Sequence, residues 1–538
     1  MDQSGCQKAL AGLEVQDARD RYADEQLRLC LVLLMAWGVL RVSHINDQPV
    51  EAWGVPLDTT RRPDEDTLDQ YLNRLIESDE ADSPSSVTDR LGQIRPGGQI
   101  DIAQQESLRC WAEAGMLAGD VWYFDDHVVE YSGQAGLSKT KHGTKQISVK
   151  AVNRYTLSNG LCSLSEYFPL TVSYAEAQRH LVSKANRCLP PTYRVRKLSF
   201  DRAGWDAELL TWLQEEQGIT PITWVKRTST NIKLLDQVPN DAFVGLGQEV
   251  LVGKEGQHHV VRLADTTLGF PTLGTQRVVV LETQARKRIG IYTTALHPRE
   301  ASLHDQRVIT TTGLVDAMRF KQRIENGFKV DVNEMDSDAI PTHRTYEATL
   351  TEPYDLAQAE KQRHNADKRL DKYTAQAQEQ LDLLDTGQLD KHQFNLLAGR
   401  TQRLRQKAER EIETISQELL NVHQDDNGQT VLQTTTQVLD VRKLTLLNLF
   451  KTHALVALKI LARQLGMGEA GPKRLRRIFL AFGDRVEFDH EQRTATVYAR
   501  RFPRASTQQA YERLCGWLYD VPITLTRNGL SYRVCYSW

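Results

Sequence analysis

The order of apolar runs between residues 121 and 225 limits the fold of this chain more than any other feature. Val121 to Phe124 is continuously apolar and aromatic, as in a strand buried on both faces, and the run ends at Asp125. Further strands are predicted at 146–157, 161–172, 193–200 and 219–225, with helices at 174–188 and 206–217. Three strands that lead into alternating helices and strands predict an α/β fold, in which a mixed sheet carries helices on its faces.

Four regions outside this core have other sequence patterns. Valine, glycine and alternating polar residues from about 226 to 312 predict an all-β insertion. Residues 355–422 are rich in Ala, Gln, Glu, Lys, Arg and Leu with a break at 385–387, which predicts two long helices in an antiparallel hairpin. The first 120 residues are predicted to be helical, and the last hundred to form an α+β unit with a basic helix, GPKRLRRIFLAFG.

Composition describes a folded protein with two oppositely charged ends. The 538 residues are 25% charged and 40% hydrophobic, which excludes a disordered, collagenous or small disulfide-bonded chain. The net charge is only -3, but residues 1–120 hold 11 Lys and Arg against 22 Asp and Glu, and residues 441–538 hold 17 against 7. One end is therefore expected to contact a polyanion, although plain solvated surface explains the asymmetry equally well.

The same sequence gives expectations for the compartment of the protein. The apolar run from Leu29 to Leu40 has 12 residues, too few to cross a bilayer, so we expect it to be a buried helix. The seven cysteines are scattered, without a C-x2-C pair, which fits a reducing cytoplasm.

Three acidic residues lie where they can point to one place. Asp125 follows the first strand, Asp201 follows the fourth, and Glu325 lies on a predicted helix after the β insertion. In a mixed sheet of this order the first and fourth strands can be neighbours, so that both aspartates emerge at one edge. Gathered carboxylates need a counter-charge, and a pair of Mg²⁺ ions on such ligands can promote phosphoryl transfer. The alternative is that each is an ordinary solvated or salt-bridged acid.

Three motifs surround these acids: YFDDHVVEYSG at 123–133, FDRAGW at 200–205 and RFKQRIENGFK at 319–329. Together they resemble the acidic motifs of DDE transposases of the bacterial insertion-sequence type, whose ribonuclease H-like core is interrupted by a β-rich insertion before the glutamate. The resemblance covers about residues 120 to 345. It implies that Asp125, Asp201 and Glu325 are catalytic and bind two Mg²⁺ ions, with Mn²⁺ as a substitute. Of the adjacent Asp125 and Asp126, we favour Asp125 as the ligand.

The resemblance also implies the reaction and a division of the chain. The enzyme would cleave DNA at element ends and join the freed 3′-hydroxyl to target DNA. The predicted regions are an acidic helical N-terminal region (1–119), the first part of a ribonuclease H-like core (120–227), a β-rich insertion (228–312), the second part of the core with the catalytic helix (313–352), an antiparallel helical hairpin (353–425) and a basic α+β C-terminal domain (426–538).

Basic residues near the motifs and in the C-terminal domain are predicted to contact DNA phosphates. They are Lys139, Lys141, Lys145, Arg202, Arg319, Lys321, Arg323, Lys329, Lys473, Arg474, Arg476, Arg477, Arg500, Arg501 and Arg504. The expected partners are double-stranded DNA, as terminal repeats and as target, and a second copy of the chain assembled on that DNA, in the bacterial cytoplasm and without a membrane. Two alternatives stay open, a DNA-binding descendant that no longer cuts and a ribonuclease H-like nuclease without strand transfer.

Overall fold

A computed structural model gives the fold of the chain. It describes residues 5–15, 21–39, 41–48, 57, 61–81, 94, 96–117, 119–134, 137–141, 148–159, 162–245, 250–251, 258–259, 262–299, 301, 305, 307–320, 345–424, 428–468, 471–499, 502–520, 524–527 and 530–537.

The N-terminal region is helical, as predicted. Its helices are α1 (Cys6–Leu10), α2 (Asp24–Ala36), α3 (Glu65–Ala81) and α4 (Gln99–Glu113). Leu27, Leu31 and Leu34 of α2 recur at helical spacing and are fully buried, which confirms that the apolar run around Leu29 belongs to a core helix.

A ten-stranded mixed sheet forms the centre of the molecule, with helices between its strands. In chain order the elements are β1 (Val121–Glu130), β2 (Lys139–Lys141), β3 (Ser148–Ser158), β4 (Ser163–Phe168), α5 (Tyr174–Cys188), β5 (Lys197–Phe200), α6 (Ala207–Thr211), β6 (Thr220–Trp224), α7 (Ser229–Asp236), β7 (Val244–Gly245), β8 (Val250–Leu251), β9 (His258–His259), β10 (Arg262–Phe270), β11 (Gly274–Glu282), β12 (Arg288–Thr293) and a helix, α8, at 311–320. Among the described residues, strands β8 and β9 pair with each other in a separate two-stranded sheet.

The topology confirms the predicted α/β order. β1 pairs antiparallel with β3, β3 pairs antiparallel with β4, and β1 pairs parallel with β5, which in turn pairs parallel with β6. The predicted β-rich segment supplies β10, β11 and β12, and these strands extend the same sheet because β12 pairs antiparallel with β6.

The prediction that the first strand ends at Asp125 is wrong. β1 continues to Glu130, and Asp125 lies opposite Thr156 of β3 in an unbroken antiparallel ladder. The apolar run stops at Phe124 because the parallel partner β5 ends at Phe200, directly beside it. Beyond that point β1 keeps β3 as a neighbour but loses the full burial that the apolar run had indicated.

Helices cover both faces of the sheet. On one face, Trp122, Phe124 and Tyr155 pack against residues of α4, α5 and α6. On the other face, Ile222, Val279 and Ile291 pack against Leu314, Val315, Ala317 and Met318 of α8. Helix α5 has the predicted bounds because Ser173 and Glu176 form a capping box at its start.

The rest of the chain carries the predicted hairpin and the C-terminal domain. The elements are β13 (Thr345–Pro353), α9 (Leu356–Asp385), α10 (Lys391–Leu420), β14 (Val422–Gln424), β15 (Thr430–Leu439), α11 (Arg442–Gln464), α12 (Gly471–Ala481), β16 (Phe482–Asp489), β17 (Thr494–Ala499), α13 (Ala505–Asp520), β18 (Thr524–Arg527) and β19 (Leu530–Ser537). The antiparallel pair β13 and β15 forms the base of the α9–α10 hairpin.

Helix α11 is apolar enough, and long enough, to cross a membrane by composition alone, but 67% of its most apolar stretch is buried inside the protein. Its buried Leu446, Phe450 and Ala454 share one hydrophobic core with the N-terminal helices. The same core includes Leu475 of α12 and Tyr511 of α13. The acidic and basic ends of the chain therefore fold together, and Lys443 Nζ lies 2.5 Å from a carboxylate oxygen of Asp69.

A buried ionic cluster joins α4 to the central sheet. Lys184 Nζ lies 2.6 Å from Asp101 Oδ1 and 2.6 Å from Glu166 Oε1, and it donates a hydrogen bond of 2.5 Å to Gln104 Oε1. His180 Nε2 lies 3.1 Å from the second oxygen of Glu166. All three charged side chains of the triad Lys184, Asp101 and Glu166 are almost completely buried. One lysine on α5 thus holds carboxylates from α4 and from β4.

Candidate active site

Asp125 and Asp201 lie side by side on one face of the sheet. In the parallel pair of β1 and β5, Tyr123 lies beside Ser199 and Phe124 beside Phe200, so the next positions are the two aspartates. Asp201 keeps an extended backbone, with φ -78 and ψ 166, which preserves the alternation of side chains past the end of β5. Neighbouring strands lie about 4.8 Å apart, so the two carboxylates are close enough to share a cation. The predicted adjacency of the first and fourth strands is confirmed.

Contacts on this face place the carboxylates next to the end of α8. Ser199 Oγ lies 3.4 Å from Met318 Sδ, and the rings of Tyr123 and Phe320 have centroids 5.2 Å apart. Tyr123 and Ser199 are each two residues before an aspartate, so the side chains of the aspartates lie on the α8 side of the sheet. The last described residue of α8, Phe320, is thus close to Asp125.

Farther along β1, the same face of the sheet is covered by the segment 439–444. Val129 of β1 and Val152 of β3 are buried against Leu439, Val441 and Leu444, at the start of α11. Val129 is four residues after Asp125 and therefore on the same side of the strand. Along β1, Asp125 therefore lies between the residue that contacts α8 and the residue that contacts the segment 439–444.

Asp126 points to the opposite face. It lies directly across from Tyr155, whose ring belongs to the core under α4, α5 and α6. Burial raises the pKa of Tyr155 to about 12, and the negative charge of Asp126 adds to that increase. Only Asp125 shares a face with Asp201, which supports the choice of Asp125 over Asp126.

Tyr174 connects the ends of the two strands, and nothing in the sequence pointed to it. Its hydroxyl donates a hydrogen bond of 3.3 Å to the carbonyl oxygen of Phe124. Burial raises the pKa of Tyr174 well above its usual value, and the charges of Asp125, Asp126 and Asp201 raise it further. A backbone hydrogen bond from Asp201 lowers the pKa of Tyr174, but by less than burial and the three charges raise it. The phenol stays protonated and adds no further negative charge beside the aspartates.

Gly204 allows Tyr174 to approach the strands. It ends a short turn, Arg202–Gly204, directly after Asp201. A Cβ atom at this position would lie 2.6 Å from the ring of Phe200 and 2.8 Å from the ring of Tyr174. Both neighbours are aromatic rings held in the core, so the FDRAGW motif needs a glycine at its fifth position.

We predict that Gly204→Ala lowers the free energy of unfolding by about 1–3 kcal/mol, because the methyl group overlaps two packed rings. Gly399→Ala on the exposed face of α10 is the matched control, since among the described residues no atom other than those of its chain neighbours and of the surrounding helix backbone lies within 4 Å of its added Cβ. That control is expected to stabilise the protein slightly, because alanine favours a helix. Chemical denaturation measures both changes, and equal stabilities of the two variants would contradict the packing argument.

The third predicted carboxylate, Glu325, lies outside the described residues, as do Lys321, Arg323, Lys329, Lys145, Arg500 and Arg501. Within the described part of the chain, no group of three or more His, Cys, Asp and Glu side chains is arranged to hold a metal ion. Asp125 and Asp201 nevertheless supply two hard oxygen donors on one surface, which is a donor set that suits Mg²⁺.

Basic residues lie on the elements around the aspartates. Arg202 Nε lies 4.0 Å from Asp201 Oδ1, and Arg319 pairs with Asp316 at 3.3 Å. Lys139 of β2 lies directly opposite Lys150 of β3, and Lys141 lies in the same strand two residues along. Two lysines opposite each other repel. Lys150 Nζ donates hydrogen bonds to the carbonyl oxygens of Gly133 at 3.5 Å and Gln134 at 3.1 Å. Lys150 was not predicted, because one lysine within a strand carries no signal by itself.

The basic patch of the C-terminal domain is divided by burial. Lys473, Arg477 and Arg504 are exposed, and Arg474 is partly exposed. Arg476 is only 9% exposed, which argues against the predicted phosphate contact of its side chain. The reason is its position on α12, where the neighbouring Leu475 and Ile478 face the core.

Comparison with known proteins adds one similarity. No protein-family model matches the sequence, and no curated protein matches it. The chain is similar to a cryo-EM structure of piggyBac transposase in a synaptic complex with hairpin DNA, at 10% sequence identity and a TM-score of 0.34. The similarity covers 62% of this chain and 65% of that one, so less than two thirds of the transposase is spanned. A TM-score of this size does not establish a common fold.

Proposed function

We propose that the chain is a DDE transposase of the bacterial insertion-sequence type, which cleaves DNA at the ends of its element and joins the 3′-hydroxyl to target DNA. The observation that carries the proposal is the register of β1 and β5, which aligns Asp125 with Asp201 on one face. Both belong to the motifs that resemble those of DDE transposases. In this proposal β1, β3, β4, β5 and β6 are the ribonuclease H-like sheet, and β10, β11 and β12 belong to the insertion before the glutamate.

Glu325 completes the proposed triad. It follows Phe320 by five residues in the sequence, and Phe320 contacts Tyr123 two residues before Asp125. The position of α8 therefore supports the assignment of Glu325 as the third carboxylate.

Asp125, Asp201 and Glu325 would together hold the metal ions. Bound Mg²⁺ would supply Lewis-acid activation of water or a 3′-hydroxyl and charge stabilisation of the leaving oxygen in phosphoryl transfer. The aspartates contribute negative charge fixed by the sheet, while the protonated Tyr174 holds the Phe124 carbonyl and leaves that charge unchanged. In this proposal a DNA strand would lie over the aspartates, along β1 between α8 and residues 439–444.

Lys139 and Lys150 would bind the DNA backbone on one side of the aspartates. Lys150 is next to Tyr131, whose backbone N–H donates to the Lys150 carbonyl at 2.8 Å. Tyr131 is six residues after Asp125, so the lysine pair lies about 20 Å along the strand from the aspartate. That distance corresponds to about six nucleotides of one DNA strand, at about 3.4 Å per nucleotide.

We predict that Lys139→Gln combined with Lys150→Gln weakens DNA binding and reduces its salt dependence. If each lysine neutralises one phosphate, the slope of log K against log salt falls by about 0.9 for each substitution. Lys233→Gln, an exposed lysine on α7, is the control with the same change of charge. Anisotropy titrations at several salt concentrations measure the slopes, and an unchanged slope in the double variant would show that the pair is only solvated surface.

The helical hairpin is the proposed contact between two copies assembled on DNA. Exposed leucines lie near its turn, on the last part of α9 and the first part of α10: Leu381, Leu396 and Leu397. Apolar side chains at the end of a projecting hairpin are expected where a partner covers them.

The direct test uses the DNA that flanks the coding region of this chain, incubated with the purified protein, Mg²⁺ and a target plasmid. Cleavage at both flanks with products joined to the plasmid supports a transposase. Cleavage without joined products identifies a nuclease, and specific binding without cleavage identifies a DNA-binding descendant. Either of the last two results overturns the proposal.

A further inference from the structure

A second, basic pocket lies at the other end of the same strands. It has a volume of about 280 Å³ and is formed at the start of β1 and β5, next to the turn between β3 and β4. Lys197 at this end is four residues before Asp201, so the pocket lies about 13 Å along β5 from the aspartates. The residues that matter for its chemistry are Asp120, Asn159, Tyr193, Arg194, Arg196 and Lys197.

Positive charge dominates the pocket, since three basic side chains face one carboxylate. The Lys197 side chain is only 10% exposed, and its Nζ lies 3.3 Å from an oxygen of Asp120, whose own side chain is 82% exposed. An ion pair with so exposed a carboxylate is weak, and it leaves most of the lysine charge available to a ligand. Arg194 is exposed, and Arg196 uses one N–H to bind the Pro191 carbonyl at 3.0 Å.

The pocket also offers groups that recognise more than charge. Asn159 is 6% exposed, and its Nδ2 donates to the Gly119 carbonyl at 3.3 Å. Its Oδ1 has no hydrogen-bond partner among the residues that the structure describes. A buried amide oxygen of this kind costs free energy unless a donor reaches it. The half-buried ring of Tyr193 gives an aromatic surface in the same pocket.

We propose that this pocket binds a nucleotide unit through its phosphate. Arg194, Arg196 and Lys197 form charge-assisted hydrogen bonds to the phosphate, which are among the stronger hydrogen bonds in proteins. Asn159 accepts a hydrogen bond from an amino group of the base, and Tyr193 contacts its ring. A volume of about 280 Å³ admits a single nucleotide and excludes a duplex, so the source is either a free mononucleotide or the 5′-phosphorylated end of a DNA strand.

Calorimetric titration of the full chain with dAMP, deoxyadenosine and inorganic phosphate tests the proposal. We expect dAMP to bind at least about tenfold more tightly than deoxyadenosine, because the nucleoside lacks the charged group. Arg194→Gln and Arg194→Gln/Lys197→Gln are expected to weaken dAMP binding by about tenfold or more. Arg187→Gln removes an exposed arginine of α5 outside the pocket and is expected to bind dAMP as the wild type does.

Equal dAMP affinities of the wild type and Arg194→Gln, or equal affinities for dAMP and deoxyadenosine, overturn the proposal. Arg194→Gln alone is decisive if the double variant is unstable, because Arg194 is a surface residue. Short single-stranded oligonucleotides with and without a 5′-phosphate then separate the sources. Tighter binding of the phosphorylated strand than of dAMP identifies a strand end, and the reverse order identifies a free nucleotide.

The pocket and the proposed transposase function can fail separately. Asp201→Asn is expected to keep dAMP binding and to lose DNA cleavage, whereas Arg194→Gln is expected to keep cleavage and to lose dAMP binding. Loss of both in either variant would overturn the assignment of two separate sites.

Discussion

Asp125→Asn is expected to reduce metal-dependent DNA cleavage by on the order of 10³-fold, because it removes one of the two carboxylates that β1 and β5 align. Asp201→Asn should have an effect of the same size. The physical reason is that an amide oxygen carries no charge and binds Mg²⁺ weakly. Both substitutions preserve the size of the side chain, so the fold should be retained.

Asp126→Asn is the matched control, since it makes the same change at the adjacent residue. Asp126 lies across from Tyr155 on the opposite face of the sheet, and its loss should change cleavage by less than about tenfold. Single-turnover cleavage of end-containing DNA, with circular dichroism to verify folding, measures all three variants. Full activity of Asp125→Asn or of Asp201→Asn would exclude the proposed metal site, and loss of activity in Asp126→Asn alone would exchange the roles of the two neighbours.

The second large effect is expected at the buried ionic cluster. Lys184→Met leaves Asp101 and Glu166 facing each other without the ammonium group that lies 2.6 Å from each. Breaking a buried ion pair by removing one partner lowers the free energy of unfolding by about 3–5 kcal/mol. Lys233→Met on α7 is exposed and should change stability by less than about 0.5 kcal/mol. Urea denaturation at neutral pH measures both, and a Lys184→Met variant as stable as the wild type would contradict the role of the cluster.

The cluster also predicts a dependence on pH. Burial by itself raises the pKa of Glu166, but the charges and hydrogen bonds of Lys184 and His180 outweigh burial and lower that pKa from 4.5 to about 2. Because the folded pKa is depressed, the stabilisation from this carboxylate is complete above the unfolded value and is lost as the pH falls towards 2. Without Lys184 the carboxylate loses its main counter-charge. The unfolding free energy of Lys184→Met should therefore decline less steeply between pH 4.5 and 2 than that of the wild type.

Local signals explain which parts of the fold could be predicted from the sequence. Helix α5 was predicted at its observed bounds because Ser173 caps its start and Pro190 follows its end, and both act within a few residues. The helical hairpin was predicted because Thr386 and Gly387 interrupt a long helical composition. The apolar run predicts an end of β1 that is five residues too early, because the run reflects burial beside β5 and not the length of the antiparallel ladder with β3.

The candidate site likewise has residues that the sequence predicts and residues that it does not. Asp125 and Asp201 could be predicted as neighbours, because the order of strands and helices leaves few arrangements of the sheet. Tyr174 could not be predicted, because it contacts Phe124, beside Asp125, from a position 50 residues later in the sequence. The burial of Arg476 could not be predicted for a related reason. Helices from the other end of the chain determine which side of α12 faces the core.

The hydrophobic core that contains both Cys6–Ala103 and Leu446–Cys515 sets an order for biosynthesis. A ribosome releases the first hundred residues long before it has made the helices that cover them. The leucines of α2 therefore stay exposed to solvent while the sheet forms. Contacts between such distant parts of a chain form late in folding. Premature termination before α11 would leave the N-terminal helices with exposed apolar surface, so that their hydrophobic core is completed only when the chain has been made through α13.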